Sequence, residues 1–184
     1  MALTPSNMLP LGTPAPYFKL LDTISGEIKP LDDLKSDKAT LIMFICNHCP
    51  FVKHVDEELV RLANDYQSKG VSFIGISSND ADKYPQDGPI QMKAEAEKQG
   101  YPFPYLYDET QDVAKAYEAA CTPDFYIFDK DMKLAYRGQL DDARPSSATP
   151  LTGKDIRNAL DVLLDGNTPS VPQKPSMGCN IKWK

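Results

Sequence analysis

The order of apolar and polar positions divides the chain into segments of two periods. Residues 40–45, Thr-Leu-Ile-Met-Phe-Ile, form a short and almost unbroken apolar run, the pattern of a strand buried on both faces. Phe51, Val55, Leu59, Leu62, Ala63 and Tyr66 follow, mostly three or four apart. That spacing predicts a helix with one apolar face, closed by Lys69-Gly70, since glycine suits the left-handed position after a helix. Residues 71–76 are a second apolar run. Strand, helix and strand in this order predict a parallel pair with a right-handed crossover. Residues 89–99 read as a helix stopped by Gly100, and residues 103–107 as a short strand. Residues 111–120 read as a helix through Val113, Ala116, Tyr117 and Ala120. Residues 125–128 and 133–136, joined through Asp129-Lys130-Asp131, read as a hairpin. A last helix spans residues 154–164, with Ile156, Leu160, Leu163 and Leu164 inward and Gly166 beyond its end. The order predicts an α/β domain: parallel strands, an antiparallel hairpin, then a covering helix.

The prolines qualify this picture at both ends. Pro5, Pro10, Pro14 and Pro16 crowd the start, and Pro145, Pro150, Pro169, Pro172 and Pro175 the end. Proline lacks the amide donor and biases its predecessor away from helix, so both ends are expected as extended coil over a central domain. The expected division is an N-terminal coil over 1–13, a domain over 14–165 and a tail over 166–184 packed on it through Met177, Cys179, Ile181 and Trp183. A length of 184 residues suits one domain. A core of that size folds without disulfide staples. With 20 Lys+Arg against 26 Asp+Glu, a net charge of −6 argues against a nucleic-acid partner. No apolar run is long enough to span a bilayer, so no membrane partner is expected. Met1 to Leu11 lacks the basic and apolar regions of an export signal, which makes the reducing cytoplasm the default compartment. Nothing in the pattern sets an oligomeric state.

The chemistry concentrates in Cys46-Asn47-His48-Cys49, where the first buried strand meets the first helix. Sites in parallel α/β sheets form at the carboxyl ends of strands. A helix N-terminus adds unsatisfied N–H groups and a positive partial charge, both favouring thiolate. Two cysteines separated by two residues at such a place are a dithiol suited to disulfide exchange. Cys46 is the expected nucleophile and Cys49 the resolving thiol, with His48 tuning the pair by a hydrogen bond or positive charge. Pro50 falls in the first helical turn, where a missing donor costs little. Two blander readings compete. Half of a zinc site lacks its second cysteine pair, and His54 follows Cys49 too closely for finger spacing. Two buried cysteines acting as small hydrophobes sit oddly at a strand–helix junction. No cofactor and no metal are expected.

With Cys121-Thr122-Pro123 opening the hairpin, this order of elements resembles the thioredoxin-like superfamily, and Thr122-Pro123 matches its cis-proline beside the dithiol. The opening Pro14-Ala15-Pro16, Phe18, Asp22 and Gly26, and the extra segment 89–99, resemble its AhpC/TSA (peroxiredoxin-like) branch, in the subgroup that carries a CxxC. The block from Tyr136 to Arg144 and the ending Gly178-Cys179-Asn180-Ile181-Lys182-Trp183 resemble the same subgroup. The resemblance implies a thioredoxin-like fold, a central mixed sheet flanked by helices, and thiol–disulfide oxidoreductase activity on protein or small-molecule disulfides and thiols. It further implies that Thr122 and Pro123 bind substrate, a substrate segment pairing with Thr122 as an added strand. The chain departs from the pattern in several slots. Whether Cys46 or Cys49 were peroxidatic, the threonine of the peroxiredoxin motif would be Met43 or Cys46, and its proline Ala39 or Ile42. Ile45 replaces the tryptophan that typical thioredoxins carry before the first cysteine, Thr40 their buried acid, and Val52 a glutamate common in membrane-tethered thioredoxin-like proteins, whose start the opening segment also resembles.

Four more residues are candidate auxiliaries. Cys121 and Cys179 are third thiols able to act in redox chemistry or merely to pack, Cys179 by resolving a sulfenic acid or pairing with Cys121. Arg137 and Arg144 can steady an anion or a peroxide, or stay solvated. Asp141-Asp142 resembles a metal pair but reads as a solvated loop. Two alternatives stand beside the oxidoreductase: a thiol peroxidase that reduces hydroperoxides, and a soft-metal module in which the dithiol, with His54, holds Cu(I) as some thioredoxin-fold copper chaperones do.

Overall fold

Alternation along residues 39–44 builds the centre of the fold. In the computed structural model, which describes residues 3–170 and 172–184, the strands are β1 (Leu3–Pro5), β2 (Lys19–Asp22), β3 (Ile28–Pro30), β4 (Ala39–Phe44), β5 (Val71–Ser77), β6 (Tyr105–Tyr107), β7 (Cys121–Thr122), β8 (Asp124–Asp129), β9 (Leu134–Gly138) and β10 (Met177–Asn180). The α-helices are α1 (Leu31–Leu34), α2 (Pro50–Gln67), α3 (Pro89–Gln99), α4 (Asp112–Ala116) and α5 (Lys154–Leu164), and a 3-10 turn covers Pro85–Asp87. Every residue of β4 is buried. Ala39, Leu41 and Met43 face one apolar cluster, while Ile42 and Phe44 face the other, as the two-residue period of a strand requires.

The larger sheet has the order β3-β2-β6-β5-β4-β8-β9. β4 and β5 are parallel, as are β5 and β6, while β8 and β9 extend the sheet antiparallel. This is the mixed sheet of a thioredoxin-like α/β fold. α2 lays Val52, Val55, Leu59, Leu62 and Ala63 on one face, joined by Ile156, Ala159 and Leu160 of α5 and by Met92 and Ala96 of α3. Each fully buried leucine there contributes about 1.5–3 kcal/mol relative to exposure. The opposite face is covered by an aromatic group in which Tyr117 meets Phe44, Tyr126 and Phe128, and by Leu9, Phe18, Leu31 and Ile181.

The structure departs from the sequence reading where chain ends and breakers decide the outcome. The helix expected over 111–120 is only Asp112–Ala116, because Glu118 turns left-handed (φ 52°) as Tyr117 is drawn into the aromatic group. The strand expected from 103 starts at Tyr105, since the prolines at 102 and 104 carry no amide to donate. β2, β3 and α1 are too short and too half-buried to show a period. The proline-rich ends, expected as coil, meet: β1, β10 and β7 form a second sheet, all antiparallel. In the tail Cys179 and Ile181 are buried, whereas Trp183 stays 40% exposed.

A glycine permits that second sheet. A Cβ at Gly178 would overlap the Thr122 carbonyl, so only glycine lets β10 lie against the loop before Pro123. Gly178→Ala is expected to lower the urea stability by about 1–3 kcal/mol, the range for overpacking. The amides of β10 should lose hydrogen-exchange protection first.

Candidate functional site

The segment between β4 and α2 carries the sulfurs. Cys49 is the N-cap and Pro50 follows inside the helix, where an absent N–H leaves no bond unmade. Cys46 and Cys49 lie just past β4, both buried. Opposite them stands the loop containing the cis Thr122-Pro123 bond. The Cys46 Sγ lies 3.3 Å from Thr122 Oγ1, and the Cys49 Sγ 3.2 Å from the Thr122 carbonyl oxygen. A hydroxyl therefore does touch Cys46, supplied across the fold by Thr122 and not by the strand before the dithiol. On its far side the Cys49 sulfur is 2.7 Å from the Cys179 sulfur of β10. Among the described residues, which include all four cysteines, no disulfide is formed.

The electrostatics of the pair differ from the sequence expectation. The thiol of Cys46 is pushed up, by the proton it shares with Cys49, by burial and by the Asp87 carboxylate. Cys49 is held well below the usual thiol range, because Cys46 donates to it and because the Cys179 thiol and the amides of Val52 and Cys179 also face its sulfur, outweighing burial. The Val52 amide makes its hydrogen bond to the Cys49 carbonyl at 3.0 Å, so its effect on the sulfur is that of a nearby dipole. The hydrogen bond from Cys46, reinforced by the Cys179 thiol, thus favours negative charge on Cys49 and leaves the proton on Cys46.

His48 sits beside this pair but faces a different partner. Its Nδ1 lies 2.5 Å from Asp87 Oδ2, and its ring stacks on Tyr84 at 5.3 Å. Asp87 is fully buried. It accepts from the Asn47 amide at 2.9 Å and from Asn79 Nδ2 at 2.8 Å. Asn79 in turn accepts from the Lys182 amide of the tail at 2.8 Å. Asp87, Asn79 and the Thr122 hydroxyl contact were not legible in the sequence. Tyr84-Pro85-Gln86-Asp87-Gly88 reads there only as a turn. The donors of Cys46, His48 and Asp87 all lie within 4.8 Å of one another. They form the convergent metal-capable group among the described residues, and His54 is not part of it.

The other candidates are dispersed. His54 lines a cavity of about 20 Å³ with Pro123 and Arg144, its Nε2 buried without a hydrogen-bond partner. Arg144 donates to Gln139 Oε1 and to the carbonyls of Asp141 and Ala143. Arg137 donates to Gln173 Oε1. Both arginines are thus committed to loop structure. Asp141 accepts from the amides of Ala143, Thr152 and Gly153, while Asp142 pairs with Lys154 and Lys174, so the adjacent acids organise loops. Cys121 is buried with its sulfur 3.7 Å from the Pro123 carbonyl, and burial pushes its thiol far up. The Thr122 backbone, expected to receive a substrate strand, pairs instead with Cys179 of β10.

Two outcomes follow. Reduced protein at neutral pH should show ultraviolet thiolate absorbance that fades on acidification, is lost in Cys49→Ser and survives in Cys46→Ser. In a Cys49→Ser background, Asp87→Asn should shift the pH dependence of Cys46 alkylation to lower pH, because removing a carboxylate charge beside a thiol favours its anion.

Comparisons with known proteins agree with this architecture. Residues 11–137, more than half of the chain, match the model of the AhpC/TSA family. An uncharacterized conserved protein from Geobacillus kaustophilus is 66% identical, with a TM-score of 0.99 over 100% of this chain and 97% of that one. A hypothetical protein from Sinorhizobium meliloti 1021 is 46% identical, with a TM-score of 0.96 over 98% of each chain. The thioredoxin domain of a thiol-disulfide oxidoreductase from Bacteroides vulgatus shares the fold at 19% identity, with a TM-score of 0.63 over 82% of this chain and 97% of that one. No curated protein matches the chain. Among the described residues no helix is long and apolar enough to cross a membrane.

Proposed function

The chain belongs to the AhpC/TSA family, and from that premise we propose that it is a thiol–disulfide oxidoreductase working through Cys46 and Cys49. The observation that carries the reading is the convergence of both sulfurs on Thr122, beside the cis-proline and at the N-terminus of α2. A dithiol whose two members share one proton is chemically suited to two successive sulfur transfers.

The steps use that shared proton. Cys49, as thiolate, takes the proton of Cys46 while Cys46 attacks a substrate disulfide. The Cys46 sulfur bonds to one substrate sulfur, the substrate S–S bond breaks, and the other sulfur leaves as a thiolate. That thiolate takes the proton from Cys49. Cys49 then attacks the Cys46 sulfur, forming the Cys46–Cys49 disulfide and expelling the second substrate thiolate. Two electrons pass from the dithiol to the substrate, and reversal oxidises a substrate dithiol. His48 and Asn47 are positioning residues, held by Asp87 and by the Gln86 carbonyl. A surface depression of about 400 Å³ beside them is lined also by Lys53 and Lys98. A protein substrate pairing with Thr122 must displace β10.

Cys49→Ser incubated with oxidised glutathione should accumulate a mixed disulfide on Cys46, while Cys46→Ser should not, and its rate of disulfide reduction should fall by orders of magnitude. Equal trapping by both variants, read by intact mass, is the result that defeats the assignment.

A further inference from the structure

Three sulfurs, not two, meet at this site. Cys179 lies 130 residues beyond Cys49 in sequence, yet the two sulfurs are 2.7 Å apart. That is nearer to the roughly 2.05 Å of a disulfide than to an ordinary non-bonded sulfur contact. The approach is built by the backbone. Cys179 stands opposite Thr122 in the antiparallel β10–β7 pair, and Gly178 lets β10 press on the Thr122 carbonyl. Ser176 Oγ donates to the Pro123 carbonyl at 2.6 Å, and the Ser176 amide to Ser6 Oγ at 2.7 Å. The tail strand is thus stitched at Ser176, just before Cys179, to the cis-proline loop and to Ser6, and the Cys179 thiol faces the sulfur that does not meet substrate first.

We propose that Cys179 is a third redox thiol that moves the disulfide of the oxidised site from Cys46–Cys49 to Cys49–Cys179. The proposal rests on the dithiol reading above and extends it. In the step, the Cys179 sulfur attacks the Cys49 sulfur. The Cys49–Cys179 bond forms, the Cys46–Cys49 bond breaks, and Cys46 leaves as a thiolate that receives the proton from Cys179. One disulfide is exchanged for another, so no external oxidant or reductant is consumed. In the reduced protein the Cys179 thiol is held up to about 12 by burial, then by its hydrogen bond to Cys49 and the charge there, with Lys182 opposing. Oxidation of Cys49 removes its charge, while the Lys182 ammonium remains, so Cys179 becomes easier to ionise when an attack is due. The exchange returns Cys46 to the thiol state and ties the tail strand covalently to α2 beside the cis-proline loop. The Thr122 edge is then closed to a substrate strand until Cys49–Cys179 is reduced. The site would thus hold one disulfide, two oxidising equivalents, out of contact with substrate.

The test is disulfide mapping of the full chain after limited oxidation by diamide, with acid quenching and alkylation. A Cys46–Cys49 bond stays within the tryptic peptide 39–53, whereas Cys49–Cys179 joins that peptide to the tail. The expected result is both species in wild type, in amounts within about tenfold of each other, a gap of about 30 mV between the two couples. The Cys46→Ser variant should give the cross-linked species alone. Absence of the cross-link from wild type overturns the proposal, whatever the variant does, and wild type needs no folding control. The glutathione trap on Cys46 is read separately. A positive trap without the cross-link removes only the relay, and a cross-link without the trap removes only the assignment of Cys46 as the substrate-facing thiol.

Discussion

The site depends on one constraint: a sulfur occupies the cap of α2, where an oxygen would ordinarily stand, and it is buried. A buried polarizable group at a helix N-terminus must be met by donors or carry a costly desolvated charge. Here the donors are the thiols of Cys46 and Cys179, with the amides of Val52 and Cys179 as nearby dipoles, while the Thr122 carbonyl stands 3.2 Å away on the accepting side. The dithiol loop, the cis-proline loop and the tail thus meet at one sulfur, and the fold is the means of bringing them together.

That constraint explains the asymmetry of the pair. The Cys46 and Cys179 thiols and two amides favour charge at Cys49, while the proton held towards Cys49, burial and the Asp87 carboxylate disfavour it at Cys46. The two sulfurs therefore hold one proton unequally. Asp87 also orders the residues between them by taking the Asn47 amide and the His48 ring. It shapes the loop and biases the proton at once, so its effects on geometry and on acidity come as a pair.

The second sheet changes what the cis-proline edge can do. In the sequence reading Thr122 offers its backbone to a substrate. In the structure that edge is paired with β10, held by Gly178, Ser176 and the N-terminal strand. Substrate pairing and tail pairing compete for the same backbone groups, so the position of the tail decides which surface the site presents.

Local pattern alone determined much of this molecule. The buried runs at β4 and β5, the single-faced α2, the α3 and α5 bounds and the β8–β9 hairpin are each set by periodicity and punctuation within a short window. The Cys46–Cys49 pair and Thr122-Pro123 were legible for the same reason, being short motifs on such elements. Tertiary structure decided the rest. Asp87 acts through contacts some forty residues back along the chain, and Cys179 through one across 130 residues. Neither leaves a periodic trace, because a lone acid in a turn and a lone thiol in a proline-rich tail look the same whether or not they meet anything. Which sulfur holds the charge was likewise undecided by spacing, since it depends on how many donors and carboxylates surround each one after folding.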